Sequence, residues 1–172
     1  MLKSEIRRRR ELEIISKLDK GGIMTIDQLR AIDAGGLGAG GRHNALRVLR
    51  EMEDSGMVAS KRVGMKLFSS DIRSRFGFWE HTLMRNDFLI ERDWFDICRM
   101  EIPIRVGGEI VLRADAGVFL NGEWLFIEVD RRQSRKANIQ KIEKYKELKL
   151  NFMVVCYKER AGHFRGCMLH EC

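Results

Sequence analysis

Two carboxylates, Asp115 and Glu128, stand in a stretch whose own pattern sets how close they lie. Residues 109–131, EIVLRADAGVFLNGEWLFIEVDR, read as two β-strands, 110–120 and 123–130, around Asn121-Gly122. Asn-Gly is favoured where a two-residue type I′ turn needs positive φ at both central positions. Such a turn pairs Leu120 with Glu123. Counting back along both strands then sets Asp115 opposite Glu128, Arg113 opposite Asp130 and Phe119 opposite Trp124, all on one face. Leu112, Ala114, Ala116, Val118, Leu125, Ile127 and Val129 form the apolar other face. Cβ atoms in a non-hydrogen-bonded pair of this kind are about 4.5–5.5 Å apart. Two carboxylates that close repel, and a cation, a shared proton or a neighbouring Arg or Lys must offset the repulsion. A hard divalent ion, Mg²⁺ or Mn²⁺, held by Asp115 and Glu128 is the offset that also does chemistry. The structural alternative is neutralisation by Arg113, Arg131 or the basic helix that follows.

The elements around the acids are legible from periodicity. Residues 78–90, FWEHTLMRNDFLI, return apolar side chains at helical spacing, with Glu80 and His81 near the start. Residues 94–99 and 102–106 read as a strand broken by Pro103, and Gly107-Gly108 leads into the hairpin. Ser134 can cap a helix reaching Leu148, with Lys141 and Tyr145 among its residues. The run 151–157, NFMVVCY, reads as a buried strand able to lie parallel to a hairpin strand after a crossover. Cys156, His163, Cys167, His170 and Cys172 are ligand types for zinc, but no C-x₂-C unit sets them in a zinc-type spacing.

The first segment reads differently. Residues 3–18 form an amphipathic helix with a basic start, Arg7 to Arg10, ended by Gly21-Gly22. Thr25, with Gln28 three positions on, is a capping box for a short helix over 26–32. A third helix, 42–55, carries Ala45, Leu46, Leu49 and Met52 on one side and Arg42, His43, Arg47 and Arg50 elsewhere. Two short strands, 57–60 and 66–69, flank the basic tip with Lys61 and Arg62. Gly36, Gly38 and Gly41 satisfy G-x-G-x-x-G, yet a helix precedes them and no G-K-[ST] follows, which excludes both nucleotide fingerprints.

A chain of 172 residues accommodates one ordinary domain or two small ones. With 44% hydrophobic and 33% charged residues it has a globular composition, which excludes disorder over most of its length. Its net charge of +7 and pI near 9.5 favour a polyanionic partner, nucleic acid before an anionic membrane surface. Neither a secretory signal nor a stretch approaching the roughly 18 apolar residues of a membrane span is legible. The expected location is therefore cytoplasmic, with the four cysteines as thiols.

Helix, helix, basic helix and basic hairpin is the order of a winged helix-turn-helix. HNALRVLREMEDSGMV followed by KRVGMKLF resembles the recognition helix and wing of that superfamily. The resemblance covers about residues 4–69 and implies contact with double-stranded DNA through Arg42, His43, Arg47, Arg50, Lys61 and Arg62. The second segment resembles the PD-(D/E)XK, or restriction-endonuclease-like, superfamily, whose acids match Glu80, Asp115 and Glu128 by position. Where that superfamily carries E-x-K this chain has Glu128-Val129-Asp130. The resemblance implies that Lys141, on the next helix, supplies the missing cation, with Gln133 a further neighbour. Together with R-A-D, FIEVDR and the Lys141–Tyr145 spacing, the chain resembles the replication-relaxation family, associated with plasmid replication and conjugative mobilisation.

The expected architecture is thus mixed α/β: a winged helix over 1–70 and a nuclease-like domain with a mixed sheet over 71–172. The expected function is DNA binding, accessory to plasmid mobilisation or replication, with a relaxase or other mobilisation protein and a second copy of the chain as further partners. An active Mg²⁺-dependent endonuclease, with Asp115, Glu128, Glu80 and Lys141 as its catalytic set, is the first alternative. A transcriptional regulator whose second domain dimerises or senses a ligand is the second.

Overall fold

The computed structural model describes residues 3–71, 76–131, 134–164 and 166–172. The chain divides into two compact units, Met1–Ile90 and Glu91–Cys172. Both helices and a mixed sheet are present, as the sequence implies.

The first unit contains α1 (Lys3–Gly21), β1 (Met24–Thr25), α2 (Ile26–Ala31), a 3₁₀ turn (Ala34–Gly36), α3 (Gly41–Asp54), β2 (Ala59–Val63), β3 (Met65–Ser69) and α4 (Trp79–Glu91). Thr25 opens α2 through a complete capping box: its hydroxyl accepts from the Gln28 backbone N–H, and the Gln28 side chain accepts from the Thr25 N–H. The same side chain donates to the Leu83 carbonyl and to Asp87, so a buried amide is satisfied on both sides. Ile14, Leu18, Leu29, Leu49, Met52, Leu67 and Phe68 are buried to 1% exposure or less, and each such burial contributes about 1.5–3 kcal/mol. The three strands form an antiparallel sheet in the order β1-β3-β2.

The expected boundary at residue 70 is displaced. Helix α4 belongs with the first unit because Leu83 packs with Ile23, Leu67 and Phe76, while Asn86 donates to the carbonyls of Gly21 and Ile23. Helical periodicity identified α4 but carries no information about which core its apolar face enters.

The second unit contains β4 (Arg99–Val106), β5 (Glu109–Leu120), β6 (Glu123–Asp130), α5 (Arg135–Glu147), β7 (Asn151–Cys156), a 3₁₀ segment (Lys158–Phe164) and β8 (Met168–Glu171). They form one sheet in the order β4-β5-β6-β7-β8, antiparallel over its first two pairings and parallel over its last two. Strand β6 is central, and its residues from Phe126 to Asp130 are all buried. Helix α5, capped by Ser134, sets Tyr145 against Leu112, Ala114 and Phe126, and Ile142 against Val154, Cys156 and Phe164.

Two expectations for this unit are corrected. Residues 94–98 form a hydrogen-bonded turn, with the N–H groups of Ile97 and Cys98 both donating to the Trp94 carbonyl, rather than a strand. Strand β4 then runs through Pro103 without a break, since an edge strand tolerates a residue that lacks an N–H. Strand β8 has no counterpart in the sequence reading; four residues next to a 3₁₀ segment offer too short a pattern to read.

Candidate functional site

The hairpin turn takes the expected form, with φ of 51° at Asn121 and 89° at Gly122, and Leu120 pairs with Glu123. The ladder then runs back only as far as Ala116–Ile127. Asp115 and Glu128 are not a cross-strand pair. Instead the Asp115 side chain takes over where the backbone pairing stops: its Oδ2 accepts a 2.7 Å hydrogen bond from the Val129 N–H. A carboxylate that expects to stand on one face of the sheet lies in the gap between two strands. Leu112 and Ala114, expected on the face of Ile127 and Val129, pack with Phe126 and Tyr145 on the opposite one. Arg113 pairs across with Pro103 on β4 instead of with Asp130.

Glu128 remains beside Asp115, and 7% of its surface is exposed. Both its oxygens are engaged from α5: Lys141 Nζ donates to Oε2 and Tyr145 Oη donates to Oε1. Residues 138, 141, 142 and 145 recur at helical spacing, so a single face of α5 delivers the amine and the phenol to one carboxylate. Burial, then the neighbouring Asp115 charge, pushes the Glu128 carboxyl up to about 8, against the opposing pull of Lys141 and Tyr145. Tyr145, fully buried, is raised by burial and by the Glu128 charge, and so stays a donor.

Asp130, in the position where E-x-K would place lysine, is buried and held by both nitrogens of an Arg160 fork, at 2.6 and 3.2 Å. Sequence reasoning missed Arg160, because it arrives from the 3₁₀ segment 30 residues later and no local spacing connects them. It also missed Asn138. This residue is 4% exposed and lines a cavity of about 20 Å³ with Glu128, Asp130 and Lys141. Its Nδ2 has no hydrogen-bond partner among the described residues. The signal for it was available: Asn138 lies three residues before Lys141 on the same helical face.

The remaining predicted site residues fall out as follows. Glu80 lies in the first turn of α4 in the first unit, whereas Asp115, Glu128 and Lys141 belong to the second. Gln133 lies outside the described residues. Cys156 is buried in β7, where burial and then the Asp130 charge push its thiol up to about 11. His170 pairs at 3.5 Å with Glu91, the last residue of α4 and the first of the second unit. Among the described residues no three His, Cys, Asp or Glu side chains gather into a group able to hold a metal.

A divalent cation fits the donor chemistry of Asp115 and Glu128. Both are hard oxygen ligands, and burial, then the neighbouring Asp115 charge, already weighs on Glu128. A pair of carboxylates is a donor set that would suit Mg²⁺.

A second candidate surface lies in the first unit. Arg42 and Arg50 of α3 and Arg62 and Lys66 of the β2–β3 hairpin line one groove of about 460 Å³. Arg62 and Lys66 are cross-strand partners, and Lys66 is anchored to Glu53 at 2.6 Å. His43 and Arg47 line the adjoining hollow with Arg50, and Arg47 is braced by Glu51 and Asn44. Lys61 is not brought to the groove: it pairs with Leu67, one position out of phase with Arg62, and so leaves the sheet on the opposite face.

No family model matches the chain, and no curated protein matches it. The crystal structure of protein VC1899 from Vibrio cholerae is similar, with a TM-score of 0.40 and 14% sequence identity. The match covers 98% of this chain and 52% of that one, so the chain spans about half the length of that protein.

Proposed function

We propose that the protein binds double-stranded DNA through its first unit, acting as a winged helix-turn-helix, and hydrolyses a phosphodiester in its second, acting as a restriction-endonuclease-like domain. The observation that carries this reading is Lys141 on Glu128 beside Asp115. The amine that E-x-K would place on the strand is absent at Asp130, and α5 brings one to the same carboxylate from outside. Asp115 and Glu128 would hold Mg²⁺ or Mn²⁺. When bound, the ion lowers the pKa of a water and neutralises charge on the phosphate.

The protein's own groups do the rest. Tyr145 fixes the rotamer of Glu128, and the Val129 N–H fixes Asp115. Lys141, with a quarter of its side chain exposed, faces both the acid and an entering phosphate. On α3 and the hairpin, Arg42, Arg50, Arg62 and Lys66 form a cationic groove suited to a duplex backbone. Among the described residues no helix is long and apolar enough to cross a membrane. Action on cytoplasmic DNA in plasmid replication or mobilisation, beside a relaxase or as a dimer, completes the proposal on the strength of the family resemblance.

A second reading, DNA binding without cleavage, is favoured by one specific observation: both Glu128 oxygens already have donors. Supercoiled, relaxed and branched DNA incubated with the protein in Mg²⁺, Mn²⁺ or chelator, beside an Asp115→Ala/Glu128→Ala variant, separates the two. Metal-dependent nicking that the variant lacks is the expected result. Tight binding with no cleavage in either metal refutes the hydrolase and leaves the accessory role.

A further inference from the structure

Glu101, the third residue of β4, has φ of 52°, in the left-handed region. A side-chain-bearing residue enters that region rarely, and inside a strand it does so at a local cost. The β4–β5 register pairs Met100 with Ala116 and Ile102 with Ala114, so Glu101 and Asp115 face each other across a position the ladder skips.

The strands change faces at this point. Arg99, paired with Gly117, lies over the Trp124 ring at 5.5 Å. Ile102, three residues on, reaches the same face: a Cβ on Gly117 would meet Ile102 Cδ1 at 2.7 Å, and Ile102 packs against the cluster that holds Phe126. In an unbroken strand, residues three apart point to opposite faces. On β5 the same change separates Ala114, packed with Phe126, from Ala116, paired with Ile127. Asp115 stands at the crossing, its side chain turned toward β6, where it accepts from Val129. Local irregularities of this kind re-aim a side chain beside functional sites.

We propose that Glu101 is a positioning residue: its left-handed backbone produces the face change that turns the Asp115 carboxylate into the gap beside Glu128. The role belongs to the backbone conformation of Glu101. Glycine at this position therefore preserves the arrangement, and a β-branched residue, which the left-handed region excludes, abolishes it. With 101 forced into the extended region, β5 alternates regularly, Asp115 returns to a face, and a β5 backbone carbonyl takes over the Val129 N–H.

The test compares Glu101→Gly and Glu101→Val, each with and without Asp115→Ala, by amide hydrogen exchange at Val129. In the parent and in Glu101→Gly, removing the Asp115 carboxylate accelerates exchange roughly five- to tenfold, the worth of one net hydrogen bond. In Glu101→Val the same removal changes nothing. Mn²⁺ affinity follows the same order, kept in Glu101→Gly and weakened in Glu101→Val. Should the valine variant fail to fold, Glu101→Ala gives the same comparison at lower conformational cost. Equal acceleration in every background overturns the inference, as does a glycine variant that behaves like the valine one. The inference rests on reading Asp115 as a site acid, but Val129 exchange needs no cleavage. An inactive protein with the expected exchange pattern therefore defeats the hydrolase and leaves the positioning role standing.

Discussion

Replacing Glu128 by glutamine isolates the electrostatic stress at the second unit's centre. Burial and the adjacent Asp115 raise this carboxyl from 4.5 to about 8. A folded-state value above the unfolded one means that the folded protein binds the extra proton between about pH 4.5 and 8. Its contribution is therefore complete below about pH 4.5 and is lost as pH rises through 8. Each tenfold change in proton affinity is worth about 1.36 kcal/mol, so the ceiling on this loss is about 5 kcal/mol. Sharing of the proton with Lys141 brings the expected value to about 2–4 kcal/mol. Glutamine keeps the acceptor for Tyr145 and cannot ionise; Lys141, partly exposed, turns to water.

Glu128→Gln should consequently match the parent near pH 5 and exceed it by about 2–4 kcal/mol at pH 9. Urea unfolding in chelator at several pH values measures this, in a Trp79→Phe background so that Trp94 and Trp124 of the second unit carry the fluorescence. Taking the difference between the two proteins cancels every other titrating group. A difference independent of pH would refute the reasoning, for it would mean that Glu128 is ionised throughout and that neither burial nor Asp115 weighs on it.

Asn138→Leu, near-isosteric, removes from the cavity beside Glu128 an Nδ2 that has no partner among the described residues, and should raise stability by about 1–3 kcal/mol in thermal or urea unfolding. If the amide serves the proposed reaction, the same variant loses cleavage while gaining stability. At the other surface, Arg50→Ala and Arg62→Ala each remove one cation from the α3–hairpin groove. Each should weaken duplex binding across sequences and flatten the slope of log affinity against log salt by about 0.9 per phosphate contact. A Lys61→Ala variant should move the slope less, since Lys61 leaves from the other face.

Local chemistry made a large part of this protein legible without its structure. Asn121-Gly122 specifies a two-residue turn and with it the Leu120–Glu123 register, because only positive φ at both positions closes such a loop. Thr25 with Gln28 specifies the start of α2, and Ser134 the start of α5, because an unsatisfied helix N–H must find a nearby acceptor. The spacing of Lys141 and Tyr145 places both on one helical face, whatever that face meets. These are interactions between residues a few positions apart, whose cost and gain are settled before the chain folds.

Other features depend on neighbours that no spacing reveals. That the β5–β6 ladder stops at Ala116 was decided across the sheet by β4, where Glu101 turns left-handed and both strands change faces. Counting back from a good turn assumes an unbroken ladder, and a third strand can override that assumption. Asp130 was legible as the wrong residue for E-x-K, but its partner Arg160 comes 30 residues later from a segment without periodicity. Helix α4 declared its amphipathicity and not its destination, which Gln28, Asn86 and the Ile23–Leu67 cluster settle. The sequence determined where turns, caps and helical faces begin, since those energies are local. The tertiary structure alone decided which carboxylate meets which cation, since that depends on packing between segments far apart in the chain.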